Sequence, residues 1–271
     1  MKKRLSTILL ISIFVIGLSL LLYPTLSDYW NSFHQSRAIA GYTKSVADLD
    51  DDTYETIWNR AVRYNKAIGK RGIHWKLTRE EQKEYESQLK LDNTQGMAYI
   101  EIPKIQCSLP IYHGTDEGIL QTAIGHIEGT SLPVGGKSSH CVLSGHRGLP
   151  SAKLFSNLDQ LEEGDIFIIR TLDEVLTYEV DQILIVLPDD LTALQIEKGK
   201  DLCTLVTCTP YGINTHRMLV RGHRVANRDE SRVTADALQI DPVMVAPVVA
   251  APVLAALLIW LLVSTRKRKK R

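Results

Sequence analysis

Three observations predict a mostly β domain, led by helices and tethered by membrane-crossing segments at both ends. Two uncharged apolar stretches, residues 6–22 and 243–263, lie near the ends of the 271-residue chain. The text up to Leu91 carries helical spacing. After Gly96 the apolar period falls from 3.6 to 2, in short runs separated by turn residues, which argues a β-barrel or sandwich. With 44% hydrophobic and 23% charged residues and only four Cys, the chain is neither a disordered polyelectrolyte nor a small disulfide scaffold.

The first stretch, STILLISIFVIGLSLLL, follows Lys2, Lys3 and Arg4 and ends before Pro24, which is expected to break it. Its seventeen residues reach the lower limit for spanning a core of about 30 Å at about 1.5 Å per residue. No small-residue cleavage site follows Leu22, so a retained anchor is favoured over a signal peptide. The second stretch has 21 uncharged residues, tolerates Pro247 and Pro252 as membrane helices do, and ends at Trp260 and a basic cluster. Nine of the 32 cations lie in the terminal runs, whereas all 31 acids lie between them, so the middle carries a net −8. That sign opposes nucleic-acid binding. It places residues 1–5 and 264–271 in the cytoplasm and the intervening domain outside.

Residues 27–95 are expected to form a helical subdomain. Ile57, Ala61 and Tyr64 fall at i, i+4 and i+7, and Thr78 with Glu81 forms a capping box opening a helix to about Leu89. Between these helices, residues 69–77 (GKRGIHWKL) read as a loop. Residues 97–105, 140–146, 165–170, 175–186, 203–208 and 217–225 read as strands of a domain spanning 96–227, with turns at PVGG (133–136) and EEGD (162–165). A polar stalk, 228–242, leads back to the membrane.

Of the four cysteines, Cys107, Cys141 and Cys203 lie within apolar strand text and suit a packed core. No spacing among the Cys and His matches a metal set. Cys208 differs: it ends the run TLVTC and precedes a loop containing Pro210 and Gly212, which makes its thiol accessible. Arg217 opens the next strand, so a hairpin brings a permanent cation towards the sulfur. His146, in LSGHRGLP, also ends a strand and is a candidate acid or base, with His126, His140, His216 and His223 as rival imidazoles.

TLVTCTPYGINTHRMLVRG (204–222) resembles the nucleophile signature of sortases, LSGHRG (143–148) their histidine segment, and GMAYIEIPKI (96–105) their opening strand. The TCTPYGINTHR form together with a C-terminal membrane helix is most similar to class C, pilus-assembling sortases of Gram-positive bacteria. The resemblance implies a closed barrel of about eight strands and a transpeptidase that needs no cofactor and no metal. Cys208 would attack the Thr–Gly bond of an LPXTG-like sorting signal and His146 would serve as general acid and base. Arg217 would hold the substrate and the oxyanion. The acceptor would be a Lys amine of a pilin subunit or, in a housekeeping relative, the cell-wall precursor lipid II.

In that family a lid carrying Asp-Pro-aromatic commonly covers the site. Here the tripeptide is absent; GIHW stands in the corresponding loop, so Trp75, with His74 beside it, either caps the cysteine or packs on the adjoining helices. A hydrolytic cysteine protease would pair Cys and His with Asn or Asp, where Arg217 is the better-placed third group. A non-enzymatic adhesin on the same barrel would be indifferent to loss of Cys208.

Overall fold

A computed structural model describes residues 2–92 and 94–227. The stalk, the second apolar stretch and the basic C-terminal tail expected from the sequence lie outside the described residues. The chain runs α1 (Lys2–Ala47), α2 (Asp51–Arg71), α3 (Arg79–Glu86), then β1 (Gly96–Ile102), β2 (Cys107–His113), β3 (Ile124–His126), β4 (Ser139–Ser144), β5 (Ile166–Thr171), β6 (Glu174–Val186), β7 (Asp201–Thr209) and β8 (His216–Arg224). The eight strands close in the order β1-β2-β3-β4-β7-β8-β6-β5. Closure removes every sheet edge. Two strands carried no periodic signal: β2 contains Pro110, and β3 is three residues long with Gly125 at its centre.

Pro24 does not end α1; the helix passes through it to Ala47. Loss of one N–H removes a single bond to the preceding turn, and forty-odd other residues sustain the helix. Within α1, Ile11–Ala47 contains a stretch long and apolar enough to cross a membrane. α2 begins where the Asp50 side chain accepts from Thr53 N, and α3 where Thr78 and Glu81 close the expected capping box. α3 stops at Glu86, earlier than expected, because Leu89 turns to a φ of 50°.

Alternation along each strand separates two sets of side chains. Cys141, Leu143, Cys203, Leu205, Met218 and Val220 point inward and join Ile100, Ile111, Ile124, Phe167 and Tyr178 in the main core. Val142, Val206 and Leu219 point outward and form a second cluster with Leu194. The helical subdomain is keyed onto the barrel by buried polar groups. Asn65 of α2 donates to Leu132 O and Gly135 O at 3.0 and 3.1 Å and accepts from Leu132 N at 2.7 Å. Removing that side chain leaves three buried backbone groups unpaired, at roughly 1–3 kcal/mol each.

Candidate active site

Cys208 and Arg217 are directly opposed across the β7–β8 ladder, so their side chains leave the sheet on the same face. That face is the outer one, since Val206 and Leu219 are their in-phase neighbours. β4 runs parallel to β7 with Val142 opposite Thr204 and Ser144 opposite Val206. Gly145 N extends this ladder by one bond to Val206 O at 3.0 Å. Continuing the register places His146 beside Cys208 on the outer face. The three residues singled out in the sequence therefore meet on three adjacent strands, each half-buried at the barrel's end.

The segment bearing His146 is held from several sides. Thr207 Oγ1 donates to Gly145 O at 2.8 Å, and His146 O accepts from Phe155 N at 3.1 Å. A Cβ at Gly145 would lie 2.6 Å from Ile124 Cδ1 and 2.7 Å from the Phe155 ring, so only glycine lets the strand end this tightly. Arg217 Nη1 donates to Asn214 O and His216 O at 3.2 and 3.1 Å. Both bonds use one of the guanidinium's nitrogens and fix the side chain against its own hairpin.

Arg147 follows His146 in the histidine segment, and the sequence alone gives it no role. Its Nη1 donates to Thr209 Oγ1 at 3.3 Å, its Nη2 donates to Asp159 at 2.5 Å, and its guanidinium lies 5.9 Å from the Tyr211 ring centroid. It thus ties the loop after His146 to the loop after Cys208. The signal was present only as a cation adjoining a strand-end histidine; its partners are 12 to 64 residues away and invisible to spacing.

Trp75 packs on the outer cluster of Val142, Val206 and Leu219, beside the strand face that carries Cys208, rather than on the neighbouring helices. His74 remains exposed, its ring Nδ1 3.1 Å from Glu81 Oε1, which also accepts from Arg71 at 3.0 Å. The loop's own backbone lies against a turn: a Cβ on Gly129 would sit 1.9 Å from His74 O. Glu81 and this close approach hold in place the loop that carries Trp75.

The rival histidines are elsewhere. His126 is fully buried, with Nε2 donating to Ser131 O at 2.8 Å and Nδ1 accepting from Tyr85 OH at 3.0 Å. His140 is buried between Gln195 O and Thr204 Oγ1. His216 faces away from its neighbour Arg217, and His223 lies near Asp181 at the far end of β8. Cys141 and Cys203 oppose each other across the parallel β4–β7 ladder inside the barrel. Burial pushes the Cys141 thiol up, but hydrogen bonds with Cys203 and His126 outweigh it and bring it down to about 6. Burial and the same bond hold Cys203 well above the ordinary thiol range. At 2% and 0% exposure neither sulfur can meet a substrate. No cluster of three or more His, Cys, Asp or Glu suited to a metal occurs among the described residues.

Residues 100–225 match a family model described as the Sortase domain. Sortase D of Bacillus subtilis is 31% identical over 191 residues, covering 69% of this chain and 92% of the relative. A crystal structure of sortase C1 from Streptococcus agalactiae superimposes with a TM-score of 0.70 at 58% identity, covering 71% of this chain and all of that one. Sortase C of Streptococcus pneumoniae, a structure described in terms of catalysis and pilin substrate specificity, gives a TM-score of 0.61 at 43% identity over 68% of this chain and 94% of its own. An eight-stranded closed barrel, the outward-facing cysteine, histidine and arginine at one end of it, and these relatives agree: the chain belongs to the sortase family of cysteine transpeptidases, with class C sortases as its structural neighbours.

Proposed function

We propose that Cys208 is the nucleophile of a pilin-polymerising transpeptidase. The observation that carries the reading is the opposition of Cys208 and Arg217 on the outer face, with the constrained end of β4 bringing His146 alongside. Cys208 Sγ attacks the Thr carbonyl carbon of an LPXTG-like signal, and the oxyanion that develops is stabilised by the Arg217 guanidinium. His146 donates a proton to the departing Gly amine as the Thr–Gly bond breaks, leaving a thioester on Cys208. A pilin Lys amine then attacks the thioester, His146 takes its proton, and Cys208 is released as an isopeptide bond forms. Bond energy is retained throughout, so no cofactor enters. Water must be kept from the thioester, and Trp75, seated on the outer cluster, is suited to cover it.

The apolar part of α1 anchors the enzyme in the cell membrane with the barrel outside, and the basic termini remain cytoplasmic. The pilin reading draws on the class C neighbours and on the printed subject of the pneumococcal structure.

The test is mass spectrometry of the full chain in detergent, incubated with an LPXTG peptide and a Lys-bearing pilin domain. The expected result is a thioacyl adduct on Cys208 that passes to a pilin Lys and is absent in Cys208→Ala. An adduct that only hydrolyses, whatever amine is supplied, favours a protease. Transfer to a lipid II mimic in preference to pilin Lys favours a housekeeping enzyme.

A further inference from the structure

Each strand of the barrel has one end at the site. The pairings place there the ends of β1, β4, β6 and β7 and the starts of β2, β3, β5 and β8. α1 touches the barrel at four successive points. Asp28 Oδ1 accepts from Lys153 N at 2.8 Å and Asn31 Nδ2 donates to Ser151 O at 2.7 Å, both in the loop that follows His146. Gln35 Nε2 donates to Thr122 O at 2.8 Å, just before β3 and still at the site end. Tyr42 OH donates to Met97 O and accepts from Leu172 N, at the opposite end. The helix therefore runs along the barrel from the site end to the far end, and its apolar segment extends beyond the site.

The distance matters. Asp28 comes six residues after Leu22, about 9 Å along a helix rising about 1.5 Å per residue. Each headgroup layer is roughly 5–8 Å thick, taking a core of about 30 Å within a total of about 40–45 Å. The loop at 151–153 is thus fastened to α1 close to the outer limit of the headgroups. Tyr29 and Trp30, 45% and 65% exposed, stand at this level, where amphipathic aromatics settle.

The barrel's own surface agrees. Outside α1, the exposed large apolar side chains among the described residues are Ile185, Leu187, Tyr211 and Ile213, at 57–67% exposure. All four are at the site end, two where β6 finishes and two in the β7–β8 loop directly after Cys208. An apolar rim confined to one end is the pattern of an interaction surface.

The geometry points to the lipid surface as its occupant: the site end of the barrel rests on the bilayer, with Ile185, Leu187, Tyr211 and Ile213 in the interfacial layer and Cys208 opening just above it. The inference rests on α1 being the membrane anchor. Continuity selects lipid over a protein partner, because the same helix that enters the bilayer is hydrogen-bonded to the loop beside the site.

The test uses the full chain in nanodiscs of phosphatidylcholine and phosphatidylglycerol, with a phosphatidylcholine carrying a photoreactive diazirine near its headgroup. After irradiation, peptides are mapped by mass spectrometry. The expected result is lipid adducts on α1 and on peptides containing 185–187 and 211–213, several-fold above those on the opposite-end segments 172–174 and 198–200. Ile185→Ser with Ile213→Ser should lose the rim adducts and keep those on α1; Asp28→Ala with Asn31→Ala, which leaves the rim intact, should lower rim labelling by releasing the strut. Adducts on α1 with rim labelling no higher than at the opposite end overturn the inference and leave the rim to a protein partner. No adducts on α1 overturn the anchor reading itself.

Discussion

Two cysteine–histidine groups share strands β4 and β7, the inner one reaching to β3 and the outer one to β8, and they have opposite fates. Cys141 faces into the barrel, hydrogen-bonded to Cys203 and to His126, and all three are sealed from solvent. Cys208, with His146 and Arg217 beside it, faces outward at the barrel's end. Hydrogen bonds from Cys203 and His126 draw the Cys141 thiol down, yet that sulfur can reach no substrate. Alternation along β7 turns Cys203 inward and Cys208 outward, so access alone separates the sulfurs that a substrate can meet from those that it cannot.

Exchanging the two cysteines for alanine tests this most strongly. Cys208→Ala is expected to abolish thioacyl formation while leaving the thermal unfolding midpoint in detergent unchanged. Cys141→Ala is expected to do the reverse, keeping adduct formation while lowering stability by about 1–2 kcal/mol through the void and the broken hydrogen bonds. Loss of transfer in Cys141→Ala at full stability would undo the contrast.

Arg217→Lys probes the outer group's third member. A lysine keeps the charge but not the planar fork, and a drop in kcat/KM of about 10²–10³ is expected, the usual effect of losing one oxyanion donor. Gly145→Ala sharpens the same comparison from the backbone side. With Ile124 and Phe155 already within 2.6–2.7 Å of the new Cβ, the strand end must shift, and His146 with it. A displacement of about 1 Å can lower turnover by about 10². The expected signature is a fall in kcat larger than any rise in KM, measured with the sorting peptide.

A pH effect concerns His113, a half-buried histidine away from the site. Burial depresses it from 6.5 to about 4, and its Nε2 donates to Gln88 O at 2.7 Å. Because its folded value lies below its unfolded one, its contribution is whole above pH 6.5. It is lost progressively as pH falls from 6.5 to about 4. After allowance for partial exposure the loss is about 2 kcal/mol. Denaturant titrations across that window should flatten in His113→Gln.

Much of this was legible in the residues. Six of eight strands, the Thr78 capping box, and the strand-end positions of Cys208, His146 and Arg217 follow from period, turn chemistry and motif. β2 and β3 were not legible because Pro110 and a three-residue length remove the alternation on which strand recognition depends. Pro24 does not break α1, because a proline's effect depends on how much helix surrounds it. Arg147 went unassigned because Thr209, Asp159 and Tyr211 reach it only through folding.

By itself, then, the sequence determined local conformation, the existence of a helical and a β part, and which residue types stood at strand ends, since these depend on neighbours a few positions apart. Tertiary structure alone decided which cysteine faces out, that Trp75 lies on the barrel rather than on its helices, and that α1 runs continuously to the site end. Those outcomes depend on strand register, barrel closure and contacts across more than a hundred residues, such as Asn31 with Ser151, and no periodicity along one segment encodes a partner that far away.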